Sequence, residues 1–210
     1  MTEKEAPLSA NHWNGNCYAS VDIEASGPDP QIYEIVQLAI LPLNADFTIR
    51  KKPLPFYINI KPENPEIIHK DASRIKVSES KIRGFDSEAA IEMLFQWRDK
   101  LQLPCTKWGT PKKIYPLGHG FSHDRAFLMR WLGQENYEEI FGPRVLDTMV
   151  VACYLNDQAS FHAERVPFSK VDLSWLAKQY NISITGRHDA LVDAKITADV
   201  YRNMCKFGMF

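Results

Sequence analysis

Acidic side chains that lie far apart in the sequence most strongly constrain what this chain can fold into. Asp22 and Glu24 lie in one apolar segment near the start. Asp124 follows a turn with two glycines, and Asp193 lies near the start of the last amphipathic segment. Divalent metal ions bind hard oxygen ligands from several segments. The pattern predicts a fold that brings these segments together around a metal site.

Hydrophobic periodicity predicts a mixed α/β sheet with helices on its faces. A meander of strands comes first and strand–helix units follow, which is typical of that class. The predicted strands are 17–25, 33–43, 56–60 and 114–118. The predicted helices are 86–103, 124–132, 147–155, 172–180 and 189–207, with a long polar loop at 156–170.

Length and composition predict one globular domain at 16–210 after a flexible tail at 1–15, since 45% of the 210 residues are hydrophobic and 24% charged. Four cysteines without a C-x-x-C pair predict free, buried thiols in a reducing cytoplasm. No run has the length or character of a signal peptide or membrane span, which predicts a soluble, cytoplasmic protein. The net charge of −1 excludes gripping nucleic acid by overall charge, so a nucleic-acid enzyme would use a local basic rim or metal ions.

The first acidic pair lies two residues apart on a predicted strand, so Asp22 and Glu24 project from the same face. Like charges side by side repel unless a cation lies between them. A solvent-exposed strand face is the alternative. The strand is otherwise apolar and ends in Ala25-Ser26-Gly27, where small residues would let a substrate approach the backbone. These two features favour the metal site.

Asp124 follows the segment 117–123, which reads as a strand running into a glycine-flanked loop. Ligands of open α/β sheets bind at the carboxyl ends of strands, which fits a role in the site. The alternative is that Asp124 only caps the following helix, and this segment taken alone favours the cap.

His188 and Asp193 are five residues apart, which on a continuous helix is a rotation of roughly 140°. His188 is therefore predicted to lie at the mouth of the helix, with Asp189 as N-cap and Asp193 in the first turns. A histidine beside a metal-binding carboxylate suits a general base. A surface histidine and a surface aspartate are the alternative.

Three segments resemble, in order, the motifs of the DEDDh 3′–5′ exonucleases, a family that includes proofreading exonucleases, ribonuclease T and oligoribonuclease. Residues 22–27 resemble D-x-E-[TA]-[TS]-G, and residues 188–194 match H-x-A-x-x-D-A. Residues 118–128 are similar to the second motif, and 145–148 to the Asp-Thr helix start. The second motif departs from the family at two positions, with Gly120 for the usual Asn and His123 for the usual Phe.

The resemblance implies a ribonuclease H-like fold, a five-stranded mixed sheet with the second strand antiparallel, flanked by helices. It implies a 3′–5′ exonuclease that releases nucleoside 5′-monophosphates from single-stranded or frayed 3′ ends. Two Mg²⁺ or Mn²⁺ ions would be held by Asp22, Glu24, Asp124 and Asp193. His188 would take the proton from the attacking water, and Asp147 would be a helix cap or outer-shell group.

DNA is the favoured substrate, because the first motif is most similar to the DNA-directed branch, and any polymerase partner would act in trans. The alternatives are an exonuclease that trims RNA or degrades oligoribonucleotides, and a catalytically silent nucleic-acid- or polymerase-binding module. The predicted substrate contacts are Ala25, Ser26, Gly27, His119 and Arg187. Residues 161–168, with Phe161, His162, Arg165 and Phe168, would stack on bases or cover the core, and Trp97 and Trp131 are predicted core residues.

Overall fold

The computed structural model describes residues 12, 15–70, 72 and 74–207, so the predicted tail at 1–15 lies largely outside the described residues. Five strands form one sheet: β1 Cys17–Ala25, β2 Ile35–Pro42, β3 Phe56–Asn59, β4 Ile114–Gly118 and β5 Leu146–Asp147. The helices are α1 Arg74–Arg83, α2 Ser87–Asp99, α3 Ser122–Leu132, α4 Gln134–Ile140, α5 Thr148–Phe161, α6 Leu173–Gln179 and α7 Ala190–Phe207. In these ranges no helix is both long and apolar enough to cross a membrane.

The strand order across the sheet is β3-β2-β1-β4-β5. β2 pairs antiparallel with both β1 and β3, whereas β1 with β4 and β4 with β5 are parallel. Only β2 therefore runs against the other strands. The predicted mixed sheet with an antiparallel second strand is confirmed.

The side chains of the central strand β1 point alternately to the two faces of the sheet. Val21 and Ile23 belong to the core cluster under α2 and α3. Ser20 points the other way, and its hydroxyl donates to the backbone oxygen of Ala194 on α7 at 2.7 Å. Asp22 and Glu24 share the parity of Ser20. The strand therefore carries both carboxylates on the α7 side of the sheet.

The two faces of the sheet are covered by helices of different character. On one face, large side chains of α2 and α3 such as Leu94 and Phe127 pack into the main core. On the other, α7 presents Ala190 and Ala194 to Ala39 and Leu41 of β2. Small residues at this contact let the helix backbone approach the sheet closely. The start of α7 consequently lies close against the strands that carry the acidic pair.

Two helices were not predicted, and one is longer than predicted. α1 is anchored partly through a polar group: Val77 is buried, and its neighbour on the next turn, Ser80, is held by a hydrogen bond to the Val36 oxygen at 2.6 Å. A helix anchored through a polar group has little hydrophobic periodicity. α4 is too short to establish a period. The predicted loop at 156–170 is wrong over its first six residues, because α5 continues to Phe161 with Ala159 buried.

The prediction of buried thiols is correct for one cysteine in four. Cys17 is buried in β1, whereas Cys105, Cys153 and Cys205 are exposed. All four are free, as expected from their spacing. The exposed cysteines lie in a loop or on the outer faces of helices, where a small side chain is tolerated without burial.

Candidate active site

The end of β1 and the start of α3 are joined through one carboxylate. The backbone N–H of Ile23, between Asp22 and Glu24, donates to Oδ1 of Asp124 at 3.1 Å. Asp124 is only 7% exposed. The register of β1 against β2 also shifts between Glu24 and Ala25. Such bulges end regular pairing and redirect side chains at functional edges of sheets.

Asp124 is not the cap of its helix. α3 begins at Ser122, so Asp124 lies within the first turn, and the N-cap position is occupied by Phe121 without a side-chain capping bond. The capping alternative considered from the sequence is therefore wrong. The side chain of Asp124 instead turns inward to β1, where it joins the acidic pair.

Asp147 fixes the loop that leads into α3. Its carboxylate accepts from the backbone N–H groups of Gly120 at 3.0 Å and Phe121 at 2.8 Å. It also caps α5 by accepting from the N–H groups of Met149 and Val150. The interpretation of Asp147 as a helix cap is confirmed, and the same carboxylate holds the β4–α3 loop in place.

The backbone conformation at position 120 explains why a glycine is found there. Gly120 has φ +67°, in the left-handed region that few residues other than Gly and Asn adopt readily. Gly120 therefore replaces the usual Asn of the DEDDh pattern with another residue that adopts this conformation readily. The second departure, His123, is exposed, and its ring lies edge-on to Phe127 with ring centroids 5.0 Å apart.

The mouth of α7 has the predicted arrangement. Asp189 precedes the helix and its Oδ1 accepts from the N–H groups of Leu191 at 3.1 Å and Val192 at 3.3 Å. His188 is exposed and has φ +66°, and its N–H donates to Oδ2 of Asp193 at 3.3 Å. The histidine therefore lies outside the helix while its backbone contacts the carboxylate inside it.

The three segments meet at one place. Ligand atoms of Glu24, His188 and Asp193 all lie within 4.8 Å of one another. Burial raises the pKa of Asp22 well above its ordinary value, and the charges of Asp124, Asp193 and Glu24 raise it further. The four carboxylates named from the sequence therefore form one electrostatic cluster, with the histidine at its edge.

Electrostatics within the cluster disfavour four free negative charges. Burial raises the pKa of Asp124 to about 7, the charges of Asp147 and Glu24 add to the rise, and hydrogen bonds from the backbone, including that from Ile23, oppose it. Burial also raises the pKa of Asp193, although Arg187 acts in the opposite direction. A cation placed among such carboxylates would remove the penalty on their ionised forms.

The donor set fits a divalent metal ion. Among the described residues, Oδ1 of Asp193 is buried and has no hydrogen-bond partner. It forms an ion pair with Nε of Arg187 at 3.1 Å. Buried carboxylate oxygens are normally satisfied, and hard oxygen donors are what Mg²⁺ and Mn²⁺ prefer. Asp193, Asp22, Glu24 and Asp124 could therefore hold such an ion.

Arg187 is anchored within the protein at the edge of the cluster. Besides its contact with Asp193, its guanidinium donates to Oγ of Ser174 on α6 at 2.7 Å. From the sequence, this side chain is predicted to contact the substrate. In the structure it neutralises part of the carboxylate charge, so a phosphate would meet an arginine already held in place.

His119 is held in place by Thr148. Nδ1 of His119 lies 2.8 Å from Oγ1 of Thr148, and that hydroxyl also lies 3.3 Å from the Gly118 oxygen. Which of Nδ1 and Oγ1 donates to the other depends on the tautomer of the ring. Burial lowers the pKa of His119. The ring is therefore a neutral hydrogen-bonding group rather than a cation.

The small residues after β1 also serve the protein's own packing. Ser26 is buried, its N–H donates to the Glu34 oxygen at 2.8 Å, and its hydroxyl accepts from the Glu34 N–H at 3.1 Å. A Cβ at Gly27 would lie 2.4 Å from the ring of Tyr33. The space beside Gly27 is thus filled by Tyr33, whereas Ala25 stays half-buried next to the acidic pair.

The aromatic residues named from the sequence separate into two groups. Phe168 is 4% exposed and packs with α6 and α7, so the suggestion that it stacks on bases is wrong. Phe161 is 86% exposed at the end of α5. Trp97 is buried, and Trp131 is half-buried against the same core, as predicted.

Two residues around the cluster were missed. Gln37 is a buried polar residue in β2, and Tyr57 lies on the edge strand β3. Both reach the start of α7 through hydrogen bonds. The available signal was the single amide side chain in an otherwise apolar strand, since a buried polar group must find a partner.

No protein-family model matches the chain, and no curated protein matches it. Solved structures do. E. coli exonuclease I in complex with a 5cy-dT13 oligonucleotide has a TM-score of 0.65 and 16% identity over 93% of this chain and 42% of its own. Its zinc-bound form with single-stranded DNA gives 0.66 and 15%, over 92% and 41%. This chain thus spans about two-fifths of exonuclease I.

The nuclease domain of 3′hExo, a DEDDh family member bound to rAMP, matches nearly from end to end. Its TM-score is 0.61 and its identity 19%, and the match covers 94% of this chain and 95% of that domain. The order and directions of the strands agree with the fold indicated by the likeness to both exonucleases. The chain therefore has the ribonuclease H-like fold of the DEDDh exonucleases.

Proposed function

We propose that this chain is a metal-dependent 3′–5′ exonuclease of the DEDDh family. The observation that carries the proposal is the convergence of Asp22, Glu24, Asp124, Asp193 and His188 from three distant segments on this fold. The alternatives of an exposed strand face and an isolated surface aspartate do not account for buried carboxylates with raised pKa values. Ionisable groups with shifted pKa values that lie together at the carboxyl ends of strands are typical of catalytic sites.

The four carboxylates would hold two Mg²⁺ or Mn²⁺ ions. When bound, such ions activate water and stabilise the charge that develops on a scissile phosphate. The protein's part is to keep the ligands fixed. Asp22 is held by a central strand, Asp124 by its bond from Ile23, and Asp193 by the first turn of α7. Rigid elements position such ligands more accurately than loops do.

His188 would accept the proton of the attacking water at a ring nitrogen. The ring lies next to Glu24 and Asp193 and is open to solvent, so a proton taken there can be passed on to water. The bond from its own N–H to Asp193 fixes the backbone while the ring stays free to turn. His119, as a neutral ring, and Arg187, as an anchored cation, would contact the substrate strand.

The expected substrate is a single-stranded or frayed 3′ end, with nucleoside 5′-monophosphates as products. DNA is the favoured class, from the resemblance of the first motif and from exonuclease I, which is bound to DNA oligonucleotides in its structures. RNA is the second candidate, because the 3′hExo nuclease domain, which matches over almost its whole length, is bound to rAMP.

The decisive experiment follows 5′-labelled single strands of DNA and RNA with the same sequence in Mg²⁺, Mn²⁺ or chelator. A ladder that shortens from the 3′ end with metal and stops in chelator is the expected result. Asp22→Asn is the matched inactive control, and a circular single strand should resist degradation. Cutting of the circle would contradict exonuclease action. Binding of the strand without any metal-dependent degradation would identify a silent binding module.

A further inference from the structure

A buried amide on β2 connects the sheet to the start of α7. Gln37 is 1% exposed, and its Oε1 accepts from the N–H of Ala190, the first residue of the helix, at 2.8 Å. Its Nε2 donates to the hydroxyl of Tyr57 at 2.7 Å and to Oδ1 of Asn59 at 3.0 Å. Every polar atom of the amide is therefore engaged, which fixes the orientation of the side chain.

Tyr57 extends this connection to Asp189. Its hydroxyl accepts from Gln37 and donates to Oδ2 of Asp189 at 2.9 Å. Burial and the bond to Asp189 raise the pKa of Tyr57, so the hydroxyl keeps its proton at neutral pH. Asp189 thus uses Oδ1 to cap α7 and Oδ2 to bind the edge strand.

These bonds fix Asp189 and Ala190, the two residues that follow His188. The N–H of His188 is bound by Asp193, so hydrogen bonds hold the backbone at His188 and directly after it. The left-handed φ of +66° is unfavourable for a residue with a side chain such as histidine, and such a conformation persists only where the surroundings impose it. The bonds from β2 and β3 are among the contacts that hold this stretch of backbone, and the ring of His188 lies next to Glu24.

We propose that Tyr57 and Gln37 are positioning residues for His188, which hold its imidazole at the carboxylate cluster without touching substrate. The inference rests on the proposed nuclease function. Tyr57 is 40% exposed, so its hydroxyl contributes little to folding compared with a fully buried group. Its effect should therefore be on the placement of His188 rather than on the stability of the domain.

The test is a double-mutant cycle on single-strand degradation with Mn²⁺. Tyr57→Phe keeps the ring and removes the bond to Asp189. It should lower kcat roughly 5–20-fold while KM and Mn²⁺ affinity change less than about twofold. In a His188→Ala background the same substitution should cause no further loss, because no ring is left to position. An equal loss in both backgrounds would overturn the proposal.

Tyr154→Phe is the matched control, since Tyr154 is an exposed tyrosine on α5 that takes no part in the bonds described above, and it should leave kcat unchanged. Gln37→Glu keeps the acceptor for Ala190 but loses the donor to Tyr57, and it should lower kcat in the same direction. Amide hydrogen exchange gives a readout that needs no activity. Tyr57→Phe should speed exchange at 188–190, and unchanged protection there would overturn the inference even if the wild-type protein proved inactive as a nuclease.

Discussion

The junction of β1 with α3 and the mouth of α7 supply the same candidate site in different ways. At the junction, Asp124 is buried in the first turn of a helix and bound by a backbone N–H of the central strand. At the mouth, His188 is exposed, lies outside the helix and has a left-handed backbone. Asp124 is fixed by regular structure, whereas the two residues that follow His188 are bound by side chains of β3 and β2.

This difference matches what the two proposed roles require. Metal ligands must keep their separations, and burial among like charges is tolerable only while a cation offsets it. A proton acceptor must exchange its proton with solvent and turn between partners. The four predictions below test this division, from the largest expected effect to the smallest.

The clustered carboxylates should be indispensable. Asp22→Asn should reduce nuclease activity by at least about a thousandfold, because the central ligand is lost. The fold should remain, since repulsion with Asp124, Asp193 and Glu24 is relieved. Steady-state degradation of single strands, together with circular dichroism, measures both effects. Asp157→Asn, on an exposed surface of α5, is the control, and more than a few per cent residual activity in Asp22→Asn would remove Asp22 from the site.

The exposed histidine should affect chemistry but not metal binding. His188→Ala should lower kcat roughly 100–1,000-fold, the usual contribution of a general base. Mn²⁺ affinity by calorimetry should change less than about threefold, because the carboxylates remain. A large loss of metal affinity would mean that His188 acts as a ligand, and the distinction between the two regions would fail.

Metal should stabilise the folded chain, because the segments that carry the carboxylates are brought together only by folding. Mn²⁺ at about a hundred times its Kd should add about 2.7 kcal/mol to the free energy of unfolding. Scanning calorimetry should show a higher Tm with Mn²⁺, reversed by chelator. The gain should be much smaller in Asp22→Asn. An unchanged Tm in the wild-type chain would contradict a shared site.

The smallest effect should be a pH dependence of the metal-free protein. The pKa of Asp124 is raised from 3.8 to about 7, so the protonated carboxyl favours the folded state. That contribution is complete below a pH of about 4 and is lost as the pH rises through about 7. Asp124→Asn should therefore stabilise the metal-free chain by roughly 1–3 kcal/mol at pH 8 and hardly at all at pH 4. Urea unfolding at both values is the measurement, and an equal gain at the two would refute the assignment.

Much of the sheet and the mouth of α7 could be predicted because their signals are local. β1 and β4 have strong apolar patterns with clear breaks, and the α7 mouth follows from the spacing of His188 and Asp193. In these cases the neighbours in sequence are the neighbours in space. The assignment of the distant acidic segments to one site, and of Asp147 to the cap on α5, rested instead on the resemblance to the DEDDh motifs.

The features that were missed depend on distant contacts. Ser80 anchors α1 to β2, and Tyr33 fills the space beside Gly27, yet neither pair is adjacent in sequence. Phe168 lies in a polar stretch, and only its packing against α6 and α7 makes it a core residue. Gln37 is a polar residue in the apolar strand β2, and its presence is explained by its hydrogen bond with the N–H of Ala190 at the start of α7. Such residues are explained by tertiary structure, which periodicity does not contain.

The carboxylate of Asp147 has a consequence for how the chain tolerates change. It accepts hydrogen bonds from both the loop after β4 and the first turn of α5. The loop and the helix start are therefore held next to each other independently of the length of the segment that connects them. The intervening stretch, which includes α4, can be lengthened or shortened at its surface turns at a modest entropic cost. Insertions there should leave Asp124 where it is. Related chains are therefore expected to differ in length between β4 and β5 while keeping an acceptor at the position of Asp147.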